Sequence, residues 1–360
     1  MVLARKHGWI GIELGPRALK LAQTQRSRGG LRVSASVVMP RTRTAQSVLD
    51  TTAEDCGWTS REISAALARG GFSGRKAACT LPMCVSDLNV LRLPPGAISE
   101  RRAMVVGELS SMFAEDQRQR EFDFWESASA AATGSANAGE VNVLSVPRTL
   151  VSQAADGISG ARLSCKVMDG LPFALARAVE LAATSGRTPP TAAVHWDFAS
   201  ATFCVASGGK PLFTRHLRNC GTGLLVGAVA DALGFSEDET MQVLAKYGLP
   251  GPEGRDGNGA ELQEVLVEVA ASQLNEITEE LKKTISYLQA QHSAIVPGRL
   301  CLFAEGAAIR NITTYVSEKA GIATEAWRLP CSENHGGTIQ QNHPALLGTA
   351  VALSALAWVS

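Results

Sequence analysis

The sequence predicts an α/β protein built as two related halves, and three observations lead there. A strand–bend–strand unit near residue 10 (Trp9 to Leu14, Gly15-Pro16, Ala18 to Ala22) is echoed near residue 195 (Ala192 to Phe198, then Ala201 to Ala206). The segment Glu261 to Gln291 carries Leu274, Ile277, Leu281, Ile285 and Leu288 at spacings of 3, 4, 4 and 3, the apolar stripe of an amphipathic helix. Strand and helix signals alternate over 360 residues, a length suited to two domains or one elaborated domain.

The elements follow in order. Leu31 to Val38, after the turn signal Arg28-Gly29-Gly30, adds a third strand to the opening hairpin. Thr59-Ser60-Arg61-Glu62 is a capping-box pattern that opens a helix through Ala68, and Gly70-Gly71 stops it. Residues 76–93 read as two strands around Leu81-Pro82. Ser99 to Phe113 reads as a helix with Ala103, Val106, Leu109 and Met112 recurring three apart. A small-residue loop (128–139) precedes the strand Val141 to Val146, and Pro147 opens a further helix at its first helical position. Thr188-Pro189-Pro190 breaks the chain and marks a candidate boundary, Gly208-Gly209 closes the second hairpin, and Pro250 to Gly259 is a loop. The helix Glu261 to Gln291 places Glu279 and Lys283 as an i, i+4 pair opposite its stripe. Leu300 to Phe303 is a strand, with Gly306 in the turn after it.

Composition bounds the function. Apolar residues make up 45% and charged residues 19%, which excludes a disordered chain. The 34 basic and 34 acidic residues cancel, which argues against a chain whose main task is binding nucleic acid. Its 8 cysteines include no CxxC and its 6 histidines no HExxH, so reduced, buried thiols are expected rather than a zinc site. Arg5 and Lys6 precede an apolar run too short for a signal peptide. The Ala-rich run Pro344 to Val359 is shorter than the ~20 residues of a membrane span. It reads as a buried terminal helix packed on Ile10 to Leu14, in a cytoplasmic protein.

Gly11-Ile-Glu-Leu-Gly15 with Lys20-Leu21 resembles the opening of the PilM-like type IV pilus assembly proteins, members of the actin-like ATPase superfamily. Leu81-Pro82, Leu93-Pro94-Pro95, Glu108 and Phe122-Asp123-Phe124 resemble that family's inserted subdomain. Val167 to Ala178 is similar to its linking run, and Gly209 to Arg215 with Gly221 to the exit of its second hairpin. Lys282 to Leu288, Leu302 to Ile312 and Pro344 to Ala357 resemble its adenosine-side helix, Gly-rich turn and last helix. The resemblance implies an actin-like (ribonuclease H-like) two-lobe α/β fold with an inserted small α+β subdomain. The first lobe would comprise 1–78, 147–187 and 331–360, the insert 79–146, and the second lobe 188–330.

For a nucleotide, the resemblance implies Glu13, Gly15 and Lys20 at the first hairpin, Asp197 and Gly221 at the second, Lys283 on the long helix and Gly306 in the Gly-rich turn. Glu13 and Asp197 would hold Mg²⁺, so ATP and Mg²⁺ are the implied cofactors. The motifs depart from the family. Glu13 stands for the usual Asp, Pro16 removes a backbone donor, and Glu305 adds negative charge. Two registers remain for the second hairpin. One sets His195-Trp196-Asp197 on the family's Asp-Ile-Gly; the other, slipped by two, sets Asp197 first. Each residue also has a reading without ligand: Glu13 as an Arg-paired or solvated acid, His195 and Trp196 as plain sheet residues, Lys282 and Lys283 as a solvated helix face.

The implied role is a cytoplasmic scaffold at the inner membrane. It would grip the N-terminal cytoplasmic peptide of a PilN-like membrane partner beside the insert, with Val85, Leu88, Val90 and Leu91 as groove residues. Self-association is compatible with that role, and the enzyme would be a weak or inactive ATPase with poor nucleotide binding. The alternatives are an active ATP-binding ATPase, the cytoplasmic lobe of a type II secretion platform, and a sugar kinase of the same superfamily, for which no catalytic base is placed. No GxSxG, GxGxxG or Walker A pattern points to another chemistry.

Overall fold

The computed structural model of the chain describes residues 7–27, 30–41, 57–113, 119–126, 139–183, 189–251, 259–330 and 343–358. The loop expected over 128–139 lies outside them apart from Gly139, as do Cys56 and Cys331.

The chain opens with the antiparallel strands β1 (His7–Leu14), β2 (Ala18–Ser27) and β3 (Gly30–Pro40). Helix α1 (Ser60–Gly70) follows, with the Thr59–Glu62 capping box formed and Gly71 closing it in the left-handed region. Strand β4 (Lys76–Thr80) then runs parallel to β1. A short 3₁₀ turn at Met83–Val85 leads into the insert: β5 (Asp87–Leu93), α2 (Ile98–Met112), β6 (Arg120–Glu126) and β7 (Gly139–Pro147). Helix α3 (Arg148–Gly160) returns to β8 (Ser164–Asp169), and α4 (Leu171–Ala182) crosses to the second half. There β9 (Thr191–Trp196), β10 (Ala201–Ser207) and β11 (Lys210–Leu217) repeat the opening meander. Helices α5 (Thr222–Leu233), α6 (Glu237–Lys246), α7 (Ala260–Val269) and α8 (Ala271–Gln291) come next. The chain ends with β12 (Leu300–Phe303), the single turn α9 (Ala304–Ala307), α10 (Ile312–Ala320), β13 (Thr324–Ala326) and α11 (Gly348–Ala355).

The two large sheets have the same plan. Their orders are β3-β2-β1-β4-β8 and β11-β10-β9-β12-β13, each a meander extended by parallel strands. The insert's sheet, β5-β7-β6, is separate. Strand β4 runs through Thr80, and the insert's sheet begins with β5 at Asp87. Asp87 ties the insert to the second half, accepting from Arg120 on β6 and from Arg218 at 3.3 Å.

The core explains why the halves hold together. The stripe Leu274, Ile277, Leu281, Ile285 and Leu288 is buried as the spacing predicts, in one continuous cluster with β9, β10 and β12. Helix α11 packs on β1 so closely that a Cβ at Gly11 would lie 1.9 Å from the Ala350 carbonyl oxygen. Only glycine permits that approach. Ser354 Oγ donates to the Trp9 carbonyl (2.5 Å) and accepts from Thr24 N (2.8 Å), which fixes the terminal helix on the opening strands as expected. Cys79, Cys204, Cys220 and Cys301 are buried thiols.

Four local expectations are corrected. The helix read as Glu261 to Gln291 is two, broken at Ala270 (φ −86°, ψ 2°). Apolar periodicity does not report a single non-helical residue between two compatible segments. Lys282 and Lys283 bond Glu279 and Glu280 at 2.7 Å, so the pairs are i, i+3 rather than Glu279–Lys283. On α2 the buried positions are Val105 and Leu109, while Val106 and Met112 are exposed, because a helix turns 100° per residue and a strict spacing of three drifts off one face. Pro147 occupies the N-cap rather than the first helical position. Strands β6 and β8, read only as family-like runs, complete the sheets.

Candidate functional site

The strand ends of the two hairpins meet at a buried cluster of charge. Glu13 and Lys20 face each other in the β1–β2 ladder, and Lys20 Nζ donates to Glu13 Oε1 (2.8 Å). Lys20 also pairs with Glu305 Oε1 (3.0 Å), which the α9 turn brings from the second half. His195 Nε2 lies 3.1 Å from the same Glu13 oxygen, and its Nδ1 lies 3.9 Å from Asp197 Oδ2. All five side chains are buried.

Burial sets the energetics. Desolvation alone would raise the Glu13 carboxyl, but Lys20 and His195 hold it down at about 2. Lys20, despite burial, is raised by Glu13 and Glu305. His195, which burial would lower, is raised by Glu13 and then Asp197. Burial dominates at Asp197 and pushes it up to about 6, against the pull of His195. The second oxygens of Glu13 and Glu305 are buried without hydrogen-bond partners among the described residues.

The ladders settle the register left open by the sequence. Glu13↔Lys20 and Leu14↔Leu19 close the first hairpin, and His195↔Thr202 and Trp196↔Ala201 close the second. The parallel neighbours agree, because Glu13↔Thr80 and His195↔Phe303 are the last pairs on that side. His195 therefore occupies the position of Glu13, and Asp197 that of Gly15.

Asp197 sits inside the turn. Its Oδ1 accepts from the Ala199 and Ser200 amides, each at 2.9 Å. These are the turn donors a phosphate would need, and a carboxylate of the same chain already occupies them. The start of α5, with Gly221 at its N-cap, is engaged too. Thr222 N donates to the Asp197 carbonyl and Gly223 N to the Phe198 carbonyl, both at 2.9 Å. At the first turn the Gly15 amide donates to the Ala18 carbonyl, and the Gly15 carbonyl accepts from Trp58 Nε1.

The third motif is closed as well. A Cβ on Gly306 would stand 2.3 Å from the Trp196 ring, so the bare backbone is covered by an indole. Above the turns, Arg17 reaches from the first hairpin to Glu237 and Asp238 at the start of α6, and its guanidinium lies 4.8 Å from the Phe198 ring centroid. Lys283 is not brought to the cluster; it pairs with Glu280 on α8. Among the described residues no group of three or more His, Cys, Asp or Glu is arranged to hold a metal ion. In this closed arrangement the turns do not fit a phosphate chain, because the backbone amides that would hold it are already bonded within the chain. Sequence reasoning names His195 only as one register option and Glu305 only as added charge; that they meet Glu13 and Lys20 appears in the fold.

A second feature lies between the insert and the first half. A cleft of about 190 Å³ is lined by Phe122, Trp125, Leu144 and Phe173, with Glu121 and Asp123 beside them. Trp125 meets Phe173 edge-on at 5.0 Å, and its indole N–H is buried without a partner among the described residues. Among the described residues strand β6 ends its sheet, so one of its backbone edges is unladdered. The groove residues expected from sequence are not gathered here. Leu91 is 6% exposed in the insert's own core, Leu88 packs on the main core, Val85 is half-buried, and Val90 is 57% exposed. Successive strand side chains alternate faces, so Val90 and Leu91 cannot line one groove.

The whole chain matches a chain of the PilM-PilN type IV pilus biogenesis complex with a TM-score of 0.74, at 18% identity and over 98% of this chain and 99% of that one. The fold is the two-lobe actin-like fold. It is also similar to ethanolamine utilization protein EutJ from Carboxydothermus hydrogenoformans, with TM-score 0.53, 12% identity, and 98% and 90% coverage. No protein-family model and no curated protein matches the chain. One large sheet carries β1–β4 and β8, the other β9–β13, and the charge cluster lies where their hairpins converge. Among the described residues no helix is long and apolar enough to cross a membrane.

Proposed function

We propose that this actin-like chain is a PilM-like assembly scaffold rather than a working ATPase. It holds the N-terminal cytoplasmic peptide of a PilN-like inner-membrane protein in the cleft between the insert and the first lobe, and is membrane-associated through that partner. The observation that carries this reading is the cleft itself: an aromatic-lined trough beside a terminal strand, with an unpartnered Trp125 N–H. Such a trough suits an extended peptide that adds to β6 by backbone bonds and seats alternate side chains. Asp123 beside the trough favours a basic residue in that peptide, while Glu121 is paired with Arg148. The full-length likeness to the PilM-PilN structure supports the same reading.

The test is fluorescence anisotropy with the labelled N-terminal peptide of the PilN-like protein from the same organism. Binding that weakens tenfold or more in Trp125→Ala, while Val90→Ala leaves it unchanged, supports the reading. Unchanged affinity in Trp125→Ala overturns it. Calorimetry tests the nucleotide half: weak or absent ATP·Mg²⁺ binding is expected, and low-micromolar affinity would show that the hairpins reopen for a nucleotide.

A further inference from the structure

Two cysteines 86 positions apart meet at the foot of the insert. Cys79 lies at the end of β4 and Cys165 at the start of β8, and their sulfurs are 3.8 Å apart. We propose that this pair is an oxidant-sensitive modification site that closes into a reversible disulfide and staples the insert at its base.

The position gives the bond a consequence. Everything between the two residues, namely the three-stranded sheet with α2 and α3, lies inside the loop the bond would close. Closure needs the sulfurs to approach by roughly 1.8 Å to reach a bonded S–S length. The local backbone can supply such a shift. Strand β8 ends its sheet, and the β4–β8 register is irregular here: Cys165 pairs with Ala77 and Val167 with Ala78, which leaves Lys166 as an extra residue. The two thiols also differ in access. Cys79 is fully buried, whereas Cys165 is only partly so, and a small oxidant reaches it first.

The chemistry sorts the same way. The Cys79 thiol beside it draws Cys165 down to about 7, while Cys79 is pushed up. Burial pushes Cys204 and Cys220 up to about 12. The thiolate is the reacting form, so Cys165 is the expected entry point. With hydrogen peroxide as oxidant, the Cys165 thiolate attacks one peroxide oxygen, giving the sulfenic acid and releasing hydroxide. Cys79 then attacks the sulfenic sulfur, the S–S bond forms, and the sulfenic oxygen leaves as water with the Cys79 proton. Two thiols and one peroxide give one disulfide and two waters.

The experiment treats the full chain with limiting hydrogen peroxide, alkylates the remaining thiols, and maps peptides with and without reductant. The expected product is a Cys79–Cys165 linked peptide, formed before any other cysteine is oxidised and reversed by dithiothreitol. In Cys79→Ser, dimedone should trap the sulfenic acid on Cys165. Linkage of other cysteines first, or Cys165 running on to sulfinic acid in the unsubstituted protein, would overturn the proposal. So would a pair that stays reduced while other thiols oxidise. The measurement on the unsubstituted chain decides the matter even if Cys79→Ser fails to fold.

Discussion

The two hairpins share a backbone and differ in chemistry. Both close with the same ladder and the same parallel neighbour, yet Glu13 corresponds to His195, Lys20 to Thr202 and Gly15 to Asp197. The first hairpin supplies a buried ion pair. The second supplies a histidine aimed at that pair and a carboxylate that fills its own turn. Two halves that could face a third body instead complete each other. The difference teaches that a repeated scaffold fixes where side chains meet, while the residues at those few positions decide whether the meeting point holds a ligand or holds itself shut.

The sharpest way to break the comparison is at its equivalent positions. Lys20→Met leaves Glu13 and Glu305 buried against each other without their shared cation, and the expected loss is about 3–5 kcal/mol in urea unfolding. Thr202→Val, at the matching place in the second hairpin, should cost about 1 kcal/mol or less. Equal losses would mean that the charge is not what distinguishes the hairpins.

Packing rather than charge holds the second lobe. Leu281 is fully buried on α8, so Leu281→Ala should cost about 2–5 kcal/mol. A loss below about 1 kcal/mol would place the stripe outside the core and remove the second half of the comparison.

Acid titration sharpens the first half. Glu13 is held at about 2 in the folded chain against an ordinary 4.5, so its contribution is full above 4.5 and is lost as the pH falls toward 2. That span corresponds to stability on the order of 3 kcal/mol. The stability gap between the unsubstituted chain and Glu13→Gln should therefore be widest near neutral pH and shrink below 4.5. Asp197 works in the opposite sense, because its carboxyl is raised from 3.8 to about 6. Stability from this group falls as the pH rises from 3.8 to 6, and Asp197→Asn, which keeps an acceptor for the turn amides, should gain on the unsubstituted chain over that window. A gap for Glu13→Gln that does not change with pH would deny the ion pair its role.

How much of this was legible depended on distance in sequence. The hairpins, the Thr59–Glu62 box, the α8 stripe and the terminal helix are written in local spacing, and the folded chain has them. The break at Ala270 was not, because both flanking segments satisfy helix periodicity. The site was legible only in pieces. The sequence presents Glu13 and Lys20 as nucleotide residues, but His195 stands 182 residues from Glu13 and Glu305 stands 285 from Lys20, and no spacing encodes those contacts. Leu91 looked like a groove residue because apolar strand residues read alike until the sheet's faces are assigned.

The smallest expected effect on stability belongs to Arg17, which the first hairpin sends to α6 of the second half with no described counterpart on the second hairpin. Its guanidinium bonds Glu237 and Asp238 at the start of α6 and lies over the Phe198 ring. Asp238 is largely exposed and Glu237 partly so, and ion pairs in such settings contribute about 0–1 kcal/mol. Arg17→Ala should therefore shift the urea midpoint little. Its effect lies in local opening, because the arm ties the first turn to the start of α6 and covers Phe198 in the second turn, while the buried cluster beneath it stays intact. Hydrogen exchange should quicken at the Asp197 to Ser200 turn and at the first turn of α6, with β1 and β9 unchanged. If β1 and β9 quicken equally, the arm and the cluster form one cooperative unit, and the two hairpins close in a single step rather than through a separable outer contact.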